Sequence, residues 1–257
     1  MSKKNDITTE RIDSVAGLLQ RVVELYTGNH SVLFRGHQVA DWILEPRIAR
    51  TKFRPRHSAF VLKAEQRMLD EFERLSVPYL AGREISSPWD RLALAQHHGL
   101  PTRLLDWSTN PLVALWFAVA QPPYKNYDAA IWAYEANEDN IANLSDDPFN
   151  LPRTQIFRPR HHDARIVAQS GWFTVHKYST ASKRERFSAL DRIEVHRSEL
   201  RKLIVPRKYF ASIREDLARC GIQRCALFPD LSGLCGHLLW QFSPLTDETD
   251  YDVASSL

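Results

Sequence analysis

The sequence predicts an α+β fold: a single domain with helices mainly in the N-terminal half, packed on a mixed or antiparallel sheet. Helical periodicity concentrates before residue 120, whereas most of the short β-rich runs lie after it. Neither a G-x-G-x-x-G nor a P-loop occurs, so the doubly wound phosphate-binding folds lack their sequence mark. The 257 residues contain no Gly/Ser linker, low-complexity tract or internal repeat, and they suffice for one large core.

In chain order, Val15, Leu18, Leu19, Val22, Val23 and Tyr26 recur at helical spacing and stop at Gly28, which makes residues 1–30 an N-terminal helical segment. The main domain spans residues 31–240, and residues 241–257 form an acidic tail expected to be flexible. Val32, Leu33 and Phe34 read as a strand. A helix over residues 58–76 should bury Val61, Ala64, Met68, Phe72 and Leu75 and turn Lys63, Glu65, Arg67, Glu71 and Arg74 to solvent. Ser87-Pro88 opens a further helix that Gly99 and Pro101 end. Residues 102–107 alternate like a short strand, with Thr102, Leu104 and Asp106 on one face. Asn110-Pro111 then starts a helix apolar nearly all round and therefore buried. Residues 129–134, 165–168, 173–175, 187–193 and 202–205 are strand candidates. Residues 206–220 form a last helix with Tyr209, Phe210, Ile213 and Leu217 inward and Gly221 as its stop.

The net charge of +3 is too mild for a protein that coats nucleic acid. Basic residues cluster in loops at 52–57 and 153–165, which read either as solvated surface or as a means of steering a dinucleotide or polyanion. No run of eighteen apolar residues occurs and the charged opening is no signal peptide, so a cytoplasmic protein without a membrane span is expected. Cys220, Cys225 and Cys235 are odd in number and fit a reducing compartment. With His237 they make a loose set of zinc ligands, and His161-His162-Asp163 defines no coordination geometry, so no metal is expected. No G-x-S-x-G supports a serine hydrolase.

The polar residues inside apolar runs carry the functional signal. Arg35 ends a core strand and needs a partner or a ligand, and Gly36 leaves room for one to approach. A guanidinium fork suits phosphate or carboxylate, while an ion pair with Asp106 is the structural alternative. Residues 93–120 pack His97, His98, Arg103, Asp106, Ser108, Thr109 and Asn110 between core segments. The last three read equally as competing N-caps or as contacts to an anion at a helix start. His97-His98 can bond the carbonyls ending their helix, with His98 alternatively joining a site beside Arg103 and Asp106. Asp230 reads as a cap or as an acid.

Phe34-Arg35-Gly36, the run HHGLPTRLLDWSTNPLVALWFA at residues 97–118 and LFPDLSG at residues 227–233 together resemble the FRG domain family, named for its F/Y-R-G motif, across residues 31–236. A more distant resemblance is to ADP-ribosyltransferase folds of the arginine-serine-glutamate type. It implies NAD as a substrate. Arg35, beside Gly36, would hold phosphate or ribose oxygens, and Ser108 or Thr109, next to Asn110, the nicotinamide-ribose side. Asp106 would orient Arg35 or Arg103, with His98 at the same site. The expected Glu-x-Glu strand is missing. Gln169 stands where the acid belongs, Glu194 in a β-compatible run is the preferred carboxylate, and Asp230 is the other. A glutamine cannot stabilise the positive charge that builds on the ribose, so Gln169 alone implies weak or no transfer. The resemblances imply an ADP-ribosyltransferase or NAD glycohydrolase, with nucleic acid or protein as acceptor, acting as a toxin in stress or phage defence. The alternatives are a non-catalytic nucleotide or nucleic-acid recognition module and a purely structural domain.

Overall fold

The computed structural model of the chain describes residues 7–25, 31–54, 61–80, 84–159, 164–180 and 186–248. A seven-stranded sheet runs in the order β1 (Thr8–Arg11), β9 (Leu200–Val205), β4 (Ala129–Ala136), β2 (Ser31–His37), β3 (Leu104–Ser108), β6 (Gly171–Val175) and β5 (Gln155–Phe157). β1 lies parallel to β9 and the other neighbours are antiparallel, so the sheet is mixed and the fold α+β. β7 (Tyr178–Ser179) and β8 (Arg186–Phe187) form a separate ribbon. The helices are α1 (Val15–Leu25), α2 (Val61–Ser76), α3 (Pro88–His97), α4 (Pro111–Val119), α5 (Ala164–Ala168), α6 (Glu194–Arg197), α7 (Phe210–Arg219), α8 (Arg224–Leu227) and α9 (Leu231–Phe242). None of them is long and apolar enough to cross a membrane.

Strand alternation divides the core. Val32 and Phe34 of β2, with Ile131 and Leu203, pack against α1, α4 and α7. Leu33 joins Leu105, Trp107, Trp132 and Tyr134 on the opposite face. A third cluster, around Leu69, Trp89, Leu92 and Phe173, ties α2 and α3 to β3, β5 and β6. Gly36 shares the helix-facing side with Phe34. A Cβ there would sit 2.0 Å from the carbonyl oxygen of Ala114 and 2.7 Å from the nitrogen of Ala118. The strand thus rides on the backbone of α4, which only glycine permits.

The sequence's punctuation reappears as capping. The Ser87 hydroxyl accepts from the Asp90 amide at 3.1 Å, and Asn110 Oδ1 from the Leu112 amide at 2.9 Å. Gly99 and Gly221 take left-handed backbone with φ of 84° and 77°. Other expectations need correction. Residues 165–168 belong to helix α5, not to a strand, because the chain must reverse into β6: the Gln169 amide bonds back to Arg165 O at 2.8 Å and Ser170 has φ 48°. Residues 187–193 do not form one strand either. Beyond β8 they make a short turn clamped to the loop after β2, with Leu190 N donating to Leu44 O and Leu44 N to the Asp191 carboxylate. In α1 only Val15, Leu18 and Val22 are buried, while Leu19 and Val23 are exposed; Tyr26 and Gly28 lie outside the described residues. The helix expected from residue 206 begins as a turn and becomes α-helical at Phe210, and it is not the last, since α8 and α9 follow it.

Gly36→Ala should therefore cost about 3 kcal/mol of stability, because a rigid backbone, not a flexible side chain, must move. Gly221→Ala, with nothing within 4 Å of the added carbon, should cost only about 1 kcal/mol for the left-handed backbone. Urea unfolding midpoints check this; equal losses in both variants would contradict the close approach.

Candidate functional site: a cleft where the sheet parts

β2 and β3 share a single residue pair, Phe34 with Ser108. Beyond it β2 stays with β4 as far as His37, and β3 stays with β6, so the two central strands diverge. The side chain of Arg35 crosses the gap, and its Nη1 donates to the backbone oxygen of Asp106 at 2.7 Å. Its Nε donates to His37 Nε2 at 3.0 Å. A ring that accepts at Nε2 carries its proton on Nδ1, which lies 3.3 Å from the carbonyl of Trp42. Burial, reinforced by the charge of Arg35, holds His37 well below the ordinary histidine value, so the ring is neutral.

A cleft of about 770 Å³ opens at this divergence. Arg35 and His37 line it from β2, Asp106 and Ser108 from β3, and Phe117 from α4. Trp42, Glu45 and Arg50 close it from the loop after β2, and Arg165, Gln169, Trp172 and Phe228 from the far side. The Asp106 carboxylate points outward. Its Oδ2 accepts from Gln96 Nε2 at 2.8 Å and stands 3.7 Å from Arg35 Nη1. Gln96 is oriented in turn by Thr102, whose buried hydroxyl donates to Gln96 Oε1 at 2.7 Å and accepts from the Leu104 amide. Under the cleft floor, the Trp107 indole donates to Thr174 Oγ1 at 3.2 Å, and that hydroxyl donates to His176 Nε2 at 3.1 Å. His176 Nδ1 completes the chain on the Ser188 carbonyl at 3.0 Å, and burial brings this histidine down to about 4.

The remaining sequence-predicted residues divide between bracing the cleft and lying elsewhere. Ser108 lines the cleft, but its hydroxyl donates to Gln169 O at 2.7 Å and accepts from the Asn110 amide at 2.9 Å. Asn110 caps α4, and the Thr109 amide bonds Ser170 O. These contacts lock the β3–α4 corner to the α5–β6 turn. Gln169 lines the cleft and donates to Leu227 O at 3.1 Å. Asp230 caps α9 by accepting from the Gly233 amide at 2.7 Å and pairs with Arg165. The Arg165 hydrogen bond holds its carboxyl below the usual range.

Arg103 does not face the cleft. It is 2 % exposed and makes a two-pronged ion pair with Glu65, itself 1 % exposed, through Nη2–Oε2 at 2.6 Å and Nε–Oε1 at 3.0 Å. Its guanidinium also lies over the rings of Phe149 and Phe187. Glu65, expected at the solvent face, belongs to the buried stripe of α2 with Ala64 and Leu69, because the arginine it meets lies far off in sequence. His98 is exposed and borders a different groove with Met68 and Leu100, whereas His97 lines the cleft. Glu194 sits in α6 instead of a strand, is exposed, and does not line the cleft. Gly36 borders the cleft, but its missing side chain makes room for α4, not for a ligand. His161, His162 and Asp163 lie outside the described residues. Among those described, no group of three or more His, Cys, Asp or Glu is placed to hold a metal ion. Sequence reasoning missed His37, Trp42, Glu45 and Arg50. For His37 a signal existed, since its two-residue spacing from Arg35 puts both on one strand face.

Fold and site together define an α+β domain whose central sheet parts around an arginine to form a polar, aromatic-walled cleft. Residues 30–127 match the model of the FRG domain family. The match includes Arg35, Gly36, His37, Asp106 and Ser108; Gln169, Asp230 and the run at 227–233 lie beyond it. No curated protein and no solved structure compared with the chain matches it.

The buried network makes stability depend on pH. His176 takes up its proton near 4 when folded and near 6.5 when unfolded, so the unfolded chain is protonated first as the pH falls. Its contribution is full above about pH 6.5, declines below that, and is lost by about pH 4. Between pH 7 and pH 5 the loss should be about 2 kcal/mol, with His37 acting in the same direction. Urea titrations at the two pH values measure it, and His176→Gln should flatten the dependence. A wild-type stability unchanged over that range would show that His176 is not held neutral.

Proposed function

We propose that this cleft binds a nucleotide, with NAD or a related dinucleotide as the class that suits it. The observation that carries the reading is the joint placement of Arg35, Arg50 and Arg165 with Trp42 and Trp172 around one cleft. Guanidinium groups recognise phosphate oxygens, and indole faces give a base a stacking surface. The volume lies within the span of small-ligand sites. Asp106, Asp41 and Glu45 add carboxylates that can accept from ribose hydroxyls. Cleavage of the nicotinamide–ribose bond is the finer reading. It requires a carboxylate beside the ribose, and among the described residues these three, not Glu194, are the acids lining the cleft. A protein that consumes NAD in this way would suit a toxin role in stress or phage defence.

Calorimetry with NAD and ADP-ribose tests the binding. Arg35→Ala should weaken it at least about tenfold through loss of a charge-assisted contact, and Arg50→Ala should weaken it less. Because Arg35 also bridges the strands, a urea midpoint must accompany each measurement. Nicotinamide release by the wild type then separates an enzyme from a binding module. Absence of heat with either ligand, or undiminished affinity in a folded Arg35→Ala protein, would overturn the proposal.

A further inference from the structure

We propose that His37 is a positioning residue that presets Arg35 as a seat for a phosphate oxyanion. The inference rests on the nucleotide reading and specifies how the cleft would meet the ligand's phosphate. Two contacts fix the guanidinium, Nε to His37 Nε2 at 3.0 Å and Nη1 to the Asp106 carbonyl at 2.7 Å. Nη2 has no hydrogen-bond partner among the described residues, and the group lines the cleft while only 17 % of the side chain is exposed.

The kind of partner matters as much as the number. A buried arginine with a purely structural task is normally met by a carboxylate at hydrogen-bonding distance, as Arg103 is met by Glu65 at 2.6 Å. Arg35 is pinned instead by two neutral acceptors, an imidazole nitrogen and a peptide oxygen. The nearest carboxylate oxygen stays 3.7 Å from Nη1 and takes its hydrogen bond from Gln96. Orientation is thus imposed by neutral acceptors, and the Asp106 carboxylate offsets the charge only from 3.7 Å, without a hydrogen bond to the guanidinium. Arg50 borders the same cleft and adds a second cation. A partly buried cation held this way has no hydrogen-bonded counter-ion, and Nη2 can supply two donors to one. Fixing a long, flexible side chain in advance also removes ordering entropy from the binding step. His37 is itself steadied by the Trp42 carbonyl at 3.3 Å, which keeps its acceptor nitrogen aimed at Arg35.

His37→Leu removes the acceptor, and His37→Gln returns one through its amide oxygen. The probes are inorganic pyrophosphate, which needs only the phosphate seat, and NAD. His37→Leu should weaken both about tenfold with the urea midpoint showing a folded protein, and His37→Gln should recover affinity to within about threefold of wild type. A second measurement needs no ligand: the Arg35 Nε–H resonance, assigned by its disappearance in Arg35→Lys, should be sharp in wild type and His37→Gln and exchange-broadened in His37→Leu. Wild-type affinity in His37→Leu, or an unchanged Nε–H resonance in it, overturns the positioning role. Pyrophosphate affected while NAD is not would also overturn it, since the seat would then not serve the nucleotide. If wild type binds neither probe but the resonance behaves as expected, the nucleotide reading fails and the oxyanion proposal with it, leaving His37 as a brace alone.

Discussion

The divergence of β2 from β3 is the constraint on which the rest of the molecule turns. A sheet that parts at its centre leaves backbone groups without ladder partners, which side chains or solvent must then satisfy. Here the Asp106 carbonyl is met by the Arg35 side chain, so the residue that repairs the sheet is also the one that charges the cleft. Gly36 makes the geometry possible by letting β2 lie directly on α4. With any side chain at that position, strand and helix would separate and the arginine would lose its register with Asp106. The motif Phe34-Arg35-Gly36 thus has three separate tasks: a core anchor, a charged bridge and a close backbone approach.

A parted sheet has to be held from outside, and β3 is held at both ends by polar groups that the apolar pattern hides. At its start, Arg103 donates to Glu65 and to the carbonyls of Pro148 and Phe149, tying the strand to α2 and to the loop before β5. At its end, the Ser108 hydroxyl bonds Gln169 O, and in between the Trp107 indole is anchored through Thr174 to His176. Removing either member of the Glu65–Arg103 pair would leave an uncompensated charge in the interior, a loss of about 3–5 kcal/mol in comparable cases. Each strand facing the cleft thus keeps a ladder on its far side, β2 to β4 and β3 to β6, and β3 is held in addition by side-chain networks.

Much of the scaffold was legible because its signals are local. Ser87-Pro88 and Asn110-Pro111 mark helix starts through capping chemistry, Gly99 and Gly221 mark ends through left-handed backbone, and the apolar α4 declares its burial. What was not legible depends on contacts distant in the chain. Glu65 and Arg103 are separated by 38 residues, and nothing in the periodicity of α2 sets Glu65 apart from the exposed Glu71. Residues 165–168 and 192–196 carry β-compatible side chains, but the reversal into β6 and the clamp on the loop after β2 override that preference. At the site, the joint placement of Arg35, Asp106 and Ser108 followed from polar groups set within core strands. The loop residues Trp42, Glu45 and Arg50 did not, since a connecting segment bears no pattern that says which way it folds.

The charge arrangement separates the residues that hold the cleft from those that remain available to act in it. Asp230 is committed to α9 and Arg165, Gln169 to the Leu227 carbonyl, and Ser108 to its own corner. Their side chains build walls. Arg35 differs because its two hydrogen bonds orient it through neutral acceptors and leave Nη2 unbonded among the described residues, and Asp106 differs because one carboxylate oxygen is fixed while the side chain stays more than half exposed. A cation and an oriented carboxylate at the mouth of one cleft are a minimal set for gripping a phosphate and contacting the sugar attached to it. The amide of Gln169 brings a dipole to the cleft and no negative charge, and it is already engaged with the Leu227 carbonyl. Among the described residues, the acids lining this cleft come from β3 and from the loop after β2, and Glu194 is not one of them.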